Sequence, residues 1–357
     1  MASILHGQGK RLAGLSAIIA RGEAVFGENA RRMLPLEPAY LALDGRLDDK
    51  QSWSGDGLGS PQHILGMVRF GNETRLEVDG VLSLTLSAPQ LEPHESIAEV
   101  WTSATPVERG CHGDVVYSSN DDVLFGALVL DRDDVRQAAR MAYSEIATTV
   151  RTAGYPHLQR VWNHVREINR GDGDLEQYRR FCAGRHEALT GAGLKTWQFP
   201  AASAVGMKAG AVAIYFVAAR RPGRASENPR QVSAYNYPRE YGPSSPSFSR
   251  ATTANWGGES LVFVSGTASV VGHETRHAGD LHAQLDETVR NLDAIIVASG
   301  ASRPGVRLMK VYVRRRGDAP VIASAVREKF SNASVIVIES DLCRRDLLLE
   351  IEAIAII

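Results

Sequence analysis

Leu-Leu-Leu-Glu-Ile-Glu-Ala-Ile-Ala-Ile-Ile, residues 347–357, places two acids inside the most apolar strand-like run of the chain. Side chains alternate between the two faces of a strand, so Glu350 and Glu352 point the same way, roughly 6.6 Å apart, and the apolar residues between them face the opposite side. Burial disfavours the charged form of a carboxyl group, so a buried acid can stay protonated near neutral pH and donate a proton. The pattern predicts either a catalytic acid on this strand or an edge strand whose glutamates reach solvent or pair with arginines.

Two strand-helix-strand units precede this run. Each helix carries an apolar stripe at helical spacing and ends before a glycine, Gly154 in the first unit and Gly300 in the second. The elements expected in order are at residues 123–130, 133–150 and 158–165 in the first unit and at residues 261–268, 280–299 and 306–313 in the second. The repetition predicts two similar half-modules side by side.

A third block lies between these units. A strand is expected at residues 211–219, and a long polar loop follows at residues 220–249. Aromatic side chains interleave with arginines in and beside this loop, namely Tyr235, Tyr237, Tyr241 and Phe248 with Arg230, Arg239 and Arg250. This composition favours an ordered loop in which the aromatic side chains are rigid packing residues and the arginines bind anions through two hydrogen bonds each. The alternative is an exposed loop whose arginines only make it soluble.

The composition restricts the class of protein. The 357 residues suggest two or three domain-sized units, and 40 basic against 41 acidic side chains argue against a nucleic-acid partner. Three cysteines without a CxxC pair argue against a disulfide framework and fit a reducing cytoplasm. No run reaches about 18 apolar residues, so we expect no membrane span.

His273-Glu274-Thr275-Arg276-His277 matches the HExxH pattern of zinc proteases, in which a helix carries both histidines on one face. Here Gly272 precedes the string, and Asp280 has the character of the cap of the next helix. The string therefore falls in a linker between a strand and a helix. We expect it to bind no metal.

A family resemblance spans roughly residue 95 to the C-terminus, and five segments carry it. They are Tyr-Pro-His-Leu-Gln-Arg-Val-Trp-Asn (155–163), Phe-Cys-Ala-Gly-Arg-His-Glu (181–187), Glu-Asn-Pro-Arg-Gln-Val-Ser-Ala-Tyr (227–235), Tyr-Gly-Pro with Ser-Pro-Ser-Phe (241–248), and Ser-Gly-Thr-Ala-Ser with Gly-His-Glu (265–274). Together they resemble the chorismatases. These are bacterial enzymes that remove the enolpyruvyl group of chorismate to leave pyruvate and a cyclic acid.

The resemblance implies a YjgF-like α+β fold in which mixed sheets pack against helices. It implies a YjgF-related N-terminal domain at residues 61–195 and a YjgF-like catalytic domain at residues 196–357. Residues 1–60 are expected to form an N-terminal extension of the first domain. The terminal run also resembles the end of small trimeric YjgF-like deaminases, where the first glutamate of the pair faces the active cleft, and this match makes Glu350 the catalytic glutamate.

Protonation of the enol methylene of chorismate makes pyruvate the leaving group, and this chemistry needs an acid and clamps for two carboxylates but no metal or cofactor. Glu350 supplies the acid. Arg160, inside the matching Leu-Gln-Arg-Val-Trp-Asn segment, is expected to clamp one carboxylate as a bidentate fork. Five further positions complete the expected substrate-binding set: Tyr215, Arg230, Tyr235, Arg239 and Gly266.

Cys343 stands seven residues before Glu350. A small buried cysteine can be structural filling. A cysteine at this spacing also resembles the family branch that makes 3-hydroxybenzoate, in which the C4 oxygen displaces pyruvate at C3 and the resulting epoxide opens to the aromatic acid. We therefore expect chorismate as substrate, 3-hydroxybenzoate and pyruvate as products, and a cytoplasmic monomer.

Three alternatives remain open. Water could attack instead, which gives a dihydroxycyclohexadiene carboxylate and pyruvate, or the protein could form 3- and 4-hydroxybenzoate together. From a different class, a YjgF-like protein could be a ligand-binding regulator without turnover. Release of pyruvate from chorismate separates this last hypothesis from the others.

Overall fold

A computed structural model describes residues 36–42, 61–210, 212–256 and 259–357. The expected N-terminal extension at residues 1–60 therefore lies outside the described residues, apart from residues 36–42. Within these ranges the chain forms twenty strands and four α-helices.

The helices are α1 (Val135–Thr152), α2 (Gln177–Gly191), α3 (Leu281–Ala298) and α4 (Ala319–Lys329). The strands are β1 (Glu37–Ala42), β2 (Ile64–Phe70), β3 (Arg75–Asp79), β4 (Val81–Leu86), β5 (Gln90–Glu92), β6 (Ile97–Thr102), β7 (Glu108–His112), β8 (Val115–Ser119), β9 (Val123–Leu130), β10 (His157–Arg166), β11 (Ala201–Met207), β12 (Val212–Ala219), β13 (Arg224–Ser226), β14 (Ala251–Asn255), β15 (Ser260–Thr267), β16 (Val270–Val271), β17 (Glu274–Thr275), β18 (Val306–Val313), β19 (Ser334–Glu339) and β20 (Leu349–Ile356).

Two of the sheets repeat one topology. The first has the strand order β7-β8-β9-β12-β10-β11, and the second has the order β13-β14-β15-β20-β18-β19, with β5 added at its edge. In each sheet one pair is parallel, β10 with β11 and β18 with β19, and the neighbouring pairs are antiparallel. The expected pair of similar half-modules and the expected α+β architecture are confirmed.

Each sheet packs its two helices on one face. Apolar residues of α1 and α2 form one core with the first sheet, and those of α3 and α4 form another with the second. The opposite faces of both sheets meet in a third core, which also receives the sheet β1-β6-β2-β4-β3. The helix-free faces of three sheets therefore enclose the centre of the protein.

The boundary expected between residues 195 and 196 does not coincide with the change of sheet. β11 and β12 follow that point, yet β12 pairs with both β9 and β10 and so lies in the middle of the first sheet. β5, from the segment assigned to the first domain, pairs instead with β19 of the second sheet. Backbone pairing holds the first unit together through Ala219, and the change of sheet follows that residue.

The two helices that the sequence predicts lie within two residues of their expected bounds. The side chain of Asp134 accepts hydrogen bonds from the first turn of α1, and that of Asp280 accepts one from Ala283 N at 3.0 Å at the start of α3. Gly154 and Gly300 follow the two helices with φ of 86° and 87°, a conformation that glycine adopts without strain. None of the described helices combines the length and apolar character needed to cross a bilayer.

Asp280→Ala should lower the free energy of unfolding by about 1 kcal/mol, because the first turn of α3 loses its side-chain cap. Glu328→Ala removes an equal charge from an exposed position of α4 and should change stability little. Chemical denaturation of both variants measures the difference. Equal stabilities would show that Asp280 does not stabilise this helix.

Candidate active site

The two acids of the terminal strand lie in the middle of the second sheet. β20 pairs with β15 on one side and β18 on the other, and Glu350 and Glu352 are 4% and 5% exposed. The expectation of an edge strand with solvent-reaching glutamates is wrong, because both edges of β20 are paired. The expected common face is confirmed: Leu349, Ile351 and Ala353 pack with α3 and α4, whereas the acids point away from those helices, toward the first sheet.

Glu352 is surrounded by donors. Its Oε2 accepts from Arg160 Nη2 at 2.6 Å and from the Ser203 hydroxyl, and its Oε1 accepts from Trp162 Nε1 at 2.7 Å. Lys310 Nζ lies 2.9 Å from the same Oε1. Burial would raise the pKa of Glu352, but Lys310, Arg160 and the Ser203 hydrogen bond outweigh it and lower the pKa to about 2. Glu352 is therefore a buried carboxylate at neutral pH.

A second ion pair extends this network to the third sheet. Lys310 Nζ lies 2.5 Å from Glu99 Oε2 and donates to Tyr215 OH at 2.7 Å. Trp101 Nε1 donates to the other oxygen of Glu99 at 2.9 Å. Tyr215 also stacks on Trp162, with ring centroids 4.5 Å apart. Because β6, β10, β12, β18 and β20 all contribute, the network fixes the positions of the three sheets relative to one another.

Glu350 has a different environment from Glu352. No described lysine or arginine forms an ion pair with it, and Cys343 Sγ contacts its Oε2 at 4.0 Å. Burial raises the pKa of Glu350 to about 8, and the negative charge of Glu352 contributes to the rise. Two neighbouring carboxyl groups thus hold opposite protonation states at neutral pH, an arrangement typical of acid-base sites.

Gly266 makes room for the Glu350 carboxyl. A Cβ atom at this position would lie 1.8 Å from Glu350 Oε1, so any side chain would displace the carboxyl group. The Gly266 N–H donates to Ser203 Oγ at 3.0 Å, and that hydroxyl contacts both Arg160 and Glu352. Ser203 therefore links the glycine of the second sheet to the arginine of the first.

The structure brings together Glu350, Cys343, Gly266 and Arg160, and Tyr215 joins them through Lys310 and Glu352. The remaining three of the expected positions make their contacts elsewhere. Arg230 pairs with Glu287 at 2.6 Å on α3, Arg239 pairs with Asp174 at the surface, and Tyr235 packs edge-on against Phe199. The ion pairs of Arg230 and Arg239 hold the loop at residues 220–249 to α3 and to the segment before α2, which agrees with the expected ordered loop.

The HExxH string is not helical. Glu274–Thr275 is a strand of a two-stranded ribbon, and His277 has a φ of 59°. His273 faces Glu240 and His277 faces Glu287, so the two imidazoles point to different carboxylates. In the ranges that the structure describes, no cluster of three or more His, Cys, Asp or Glu side chains has the geometry of a metal site.

Several residues of the network were not predicted from the sequence. The network includes three strand residues, Ser203, Lys310 and Glu99. The sequence around each of them shows only a polar residue between apolar ones. Arg160 and Glu352 are separated by 192 positions, and no local spacing indicates that they meet. One signal was present in the sequence: Glu99 and Lys310 are charged residues inside largely apolar strands. Because a buried charge requires a partner, each of them could have been expected to form an ion pair.

The protonation of Glu350 is open to direct measurement. In protein carrying carboxyl-labelled glutamate, one side-chain carbon resonance should titrate with a midpoint near pH 8, and Glu350→Gln should remove it. Glu352→Gln should lower that midpoint, because the adjacent negative charge is lost. Glu328→Gln serves as the exposed control. If every glutamate titrates below pH 6, the environment of Glu350 is not as described.

Comparison with known proteins places this geometry in a family. Residues 99–218 match the model described as chorismatase FkbO/Hyg5-like, N-terminal. The chain is 39% identical over 290 residues to a 3-hydroxybenzoate synthase of Streptomyces hygroscopicus, covering 76% of this chain and 84% of that protein. It is 38% identical over 318 residues to a chorismatase of Streptomyces rapamycinicus, covering 83% and 94%.

A crystal structure of a chorismatase matches with a TM-score of 0.80 at 31% identity, over 90% of this chain and 98% of that one. The match confirms the expected fold class. The relatives found by sequence and the one found by structure each match over most of their own length and most of this chain. The chain belongs to the chorismatase family.

Proposed function

We propose that the protein converts chorismate to 3-hydroxybenzoate and pyruvate. The observation that carries the proposal is the Glu350 carboxyl, which burial keeps protonated at neutral pH beside the Cys343 thiol and the side-chain-free Gly266. The similarity to a protein named 3-hydroxybenzoate synthase supports the choice of product. Two other relatives carry the name chorismatase.

The first step is a proton transfer. Glu350 donates its proton to the methylene carbon of the enol ether, and the π electrons of that double bond form the new C–H bond. The ether carbon becomes an oxocarbenium, and Glu350 becomes a carboxylate. The charge of the neighbouring Glu352 is already paired with Arg160 and Lys310, so the new Glu350 carboxylate is the group that stabilises the cation.

The second step expels pyruvate without water. The C4 hydroxyl oxygen attacks C3 and gives its proton to the Glu350 carboxylate, which restores the acid. The C3–O electron pair moves to the oxocarbenium oxygen and forms the ketone of pyruvate. The epoxide C4–O bond then breaks as the oxygen that remains on C3 takes up a proton, and C3 loses its own proton to form the aromatic ring. One proton is gained and one lost, so the atoms of chorismate are fully divided between 3-hydroxybenzoate and pyruvate.

Cys343 acts in this proposal as a weakly polar wall beside the acid. Burial raises the pKa of its thiol to about 12, so the sulfur stays protonated and is not a nucleophile. A thiol forms only weak hydrogen bonds, so it does not hold a water molecule beside the acid. Its presence at 4.0 Å from the Glu350 carboxyl favours attack by the internal oxygen over attack by water.

Arg160 is proposed to hold one substrate carboxylate. Its Nη2 contacts Ser203 and Glu352, whereas its buried Nη1 has no hydrogen-bond acceptor among the described residues. A carboxylate oxygen at Nη1 would receive a charge-assisted hydrogen bond. The ion pair with Glu352 fixes the orientation of the guanidinium before the substrate binds.

Glu350→Gln should lower the rate of pyruvate release from chorismate by about two or more orders of magnitude, because the amide keeps the shape but has no acidic proton. In the unmodified protein kcat/KM should fall as the pH rises through about 8, since only the protonated acid is competent. A coupled lactate dehydrogenase assay measures both.

Glu328→Gln is the matched control and should leave the rate unchanged. A loss smaller than tenfold in Glu350→Gln would exclude Glu350 as the acid and make Glu352 the next candidate. A wild-type protein that binds chorismate but releases no pyruvate would support the ligand-binding regulator instead.

Cys343→Val should shift the products away from 3-hydroxybenzoate while pyruvate release continues, because the acid is retained and the wall beside it changes in shape and polarity. A twentyfold change in product ratio needs only about 1.8 kcal/mol of difference between two barriers. Liquid chromatography separates 3-hydroxybenzoate, 4-hydroxybenzoate and the dihydroxycyclohexadiene acid.

Cys111→Val, which changes an exposed thiol, is the control for this experiment. If Cys343 only fills the core, its variant should melt at a lower temperature and give an unaltered product ratio.

A further inference from the structure

The segment that carries Cys343 lies outside the strands of the second sheet. β19 ends at Glu339 and β20 begins at Leu349, so residues 340–348, called here the Cys343 loop, connect the two. A thiol is a weak hydrogen-bond donor, and its 4.0 Å contact with the Glu350 carboxyl cannot by itself fix this loop. Other residues must therefore hold Cys343 beside the acid.

Arg314 stands where this loop leaves and re-enters the sheet. It follows Val313, the last residue of β18, and β18 is the strand between β19 and β20. Val313 O accepts a hydrogen bond from Ser340 N at 3.0 Å. Arg314 N donates to Leu348 O, also at 3.0 Å. The backbone around Arg314 is thereby bound to both ends of the Cys343 loop.

All three nitrogens of the Arg314 guanidinium contact acceptors in or beside the loop. Nε donates to Leu347 O and Nη2 donates to Arg344 O, each at 2.8 Å. Nη1 contacts the Asp341 carboxylate and donates to Asn169 Oδ1 at 3.1 Å. A guanidinium holds its donors in one rigid plane, so these acceptors keep fixed positions relative to one another.

Asn169 holds the loop on the other side of Cys343. Its Nδ2 donates to Leu342 O at 2.9 Å, and its Oδ1 is the acceptor for Arg314. The residue before Cys343 is thus bound through Asn169, and the residue after it is bound by Arg314 directly. Because Arg314 also fixes Asn169, it restrains the backbone on both sides of the thiol.

We propose that Arg314 is a positioning residue that holds the Cys343 thiol against Glu350 and so determines the choice between internal attack and attack by water. This inference rests on the proposed function, in which Cys343 is the wall beside the acid. Without the guanidinium, Arg344 O and Leu347 O lose a charged donor, and the loop is free to move away from the acid. Displacements of about 1 Å in a site can change reaction rates about a hundredfold, so a small movement of the thiol suffices to alter the products.

Arg314→Gln should lower the ratio of 3-hydroxybenzoate to the dihydroxycyclohexadiene acid by about fivefold or more, because charged hydrogen bonds to the loop are lost. Pyruvate release should continue, since Glu350 and Arg160 are retained. Arg315→Gln removes the exposed arginine next in the chain and should leave the ratio unchanged. Liquid chromatography of the products measures the ratio in each variant.

The same substitution in protein that carries Cys343→Val shows whether Arg314 acts through the thiol. In that background Arg314→Gln should change the product ratio by less than about twofold, because no thiol remains to be positioned. An equal change of the ratio in both backgrounds overturns the proposal, since Arg314 would then act by another route.

Alkylation by iodoacetamide gives a readout that needs no turnover. Arg314→Gln should raise the rate at which Cys343 is alkylated about fivefold or more, because the loosened loop exposes the thiol, while the buried Cys182 stays unreactive. Arg314→Lys keeps the charge but has a single donor nitrogen, so its rate should lie between those of the other two proteins. Mass spectrometry of the peptides distinguishes the two cysteines.

A purely structural role of Arg314 predicts a different result. Both thiols would then become reactive together, the melting temperature would fall, and the product ratio would stay the same. This outcome overturns the proposal. Asn169→Ala leaves the arginine in place but removes the donor to Leu342 O, and it should shift the product ratio and the alkylation of Cys343 in the same direction as Arg314→Gln.

The products of the unmodified protein are measured beside these variants. Formation of 3-hydroxybenzoate, together with an unchanged ratio and unchanged alkylation in Arg314→Gln and Asn169→Ala, refutes only the role of Arg314. Faster alkylation of Cys343 alone, in a protein that makes no 3-hydroxybenzoate, supports the positioning of the loop and refutes the proposed product.

Discussion

The ion pair between Arg160 and Glu352 is the interaction on which the rest of the site depends. It joins β10 of the first sheet to β20 of the second at 2.6 Å, and both side chains are almost fully buried. Burying two charges costs several kcal/mol for each ion, so the pair is tolerated only because Ser203, Trp162 and Lys310 satisfy the other oxygen sites of the carboxylate. Removing one partner would leave the other as an uncompensated charge in the core. The two sheets are therefore held in one relative position.

This arrangement also determines the protonation of the second acid. Glu350 is two positions from Glu352 on the same face, so the fixed negative charge of Glu352 adds to the effect of burial on Glu350. The cations are placed next to Glu352 and not next to Glu350, and the pKa values of the two carboxyl groups separate to about 2 and about 8. The strand period of two places both acids on one face of β20, and the donors around Glu352 give the two carboxyl groups different pKa values.

The sequence predicted what local periodicity controls. The stripes of α1 and α3, the Asp280 cap of α3, and the shared face of Glu350 and Glu352 all follow from spacings within about twenty residues. α2 was missed because Gln177 and Arg185 interrupt its buried face with polar side chains. The pairing of β12 between β9 and β10 and the contact of Arg160 with Glu352 were beyond prediction, because they join segments that only the completed fold brings together.

The repeated topology explains why the acids and most of their donors come from different halves. The second unit supplies Glu350, Glu352 and Lys310, and the first supplies Arg160, Trp162 and Ser203. In the order of each sheet, β12 corresponds to β20, and at the inward positions of β12 the first unit has Tyr215 and Val217 in place of acids. The two copies of one topology therefore contribute unequally: the second supplies both acids and Lys310, and the first supplies the other donors to Glu352, namely Arg160, Trp162 and Ser203. Because each copy presents the helix-free face of its sheet, this division of roles requires only substitutions on facing strands and no change in the fold.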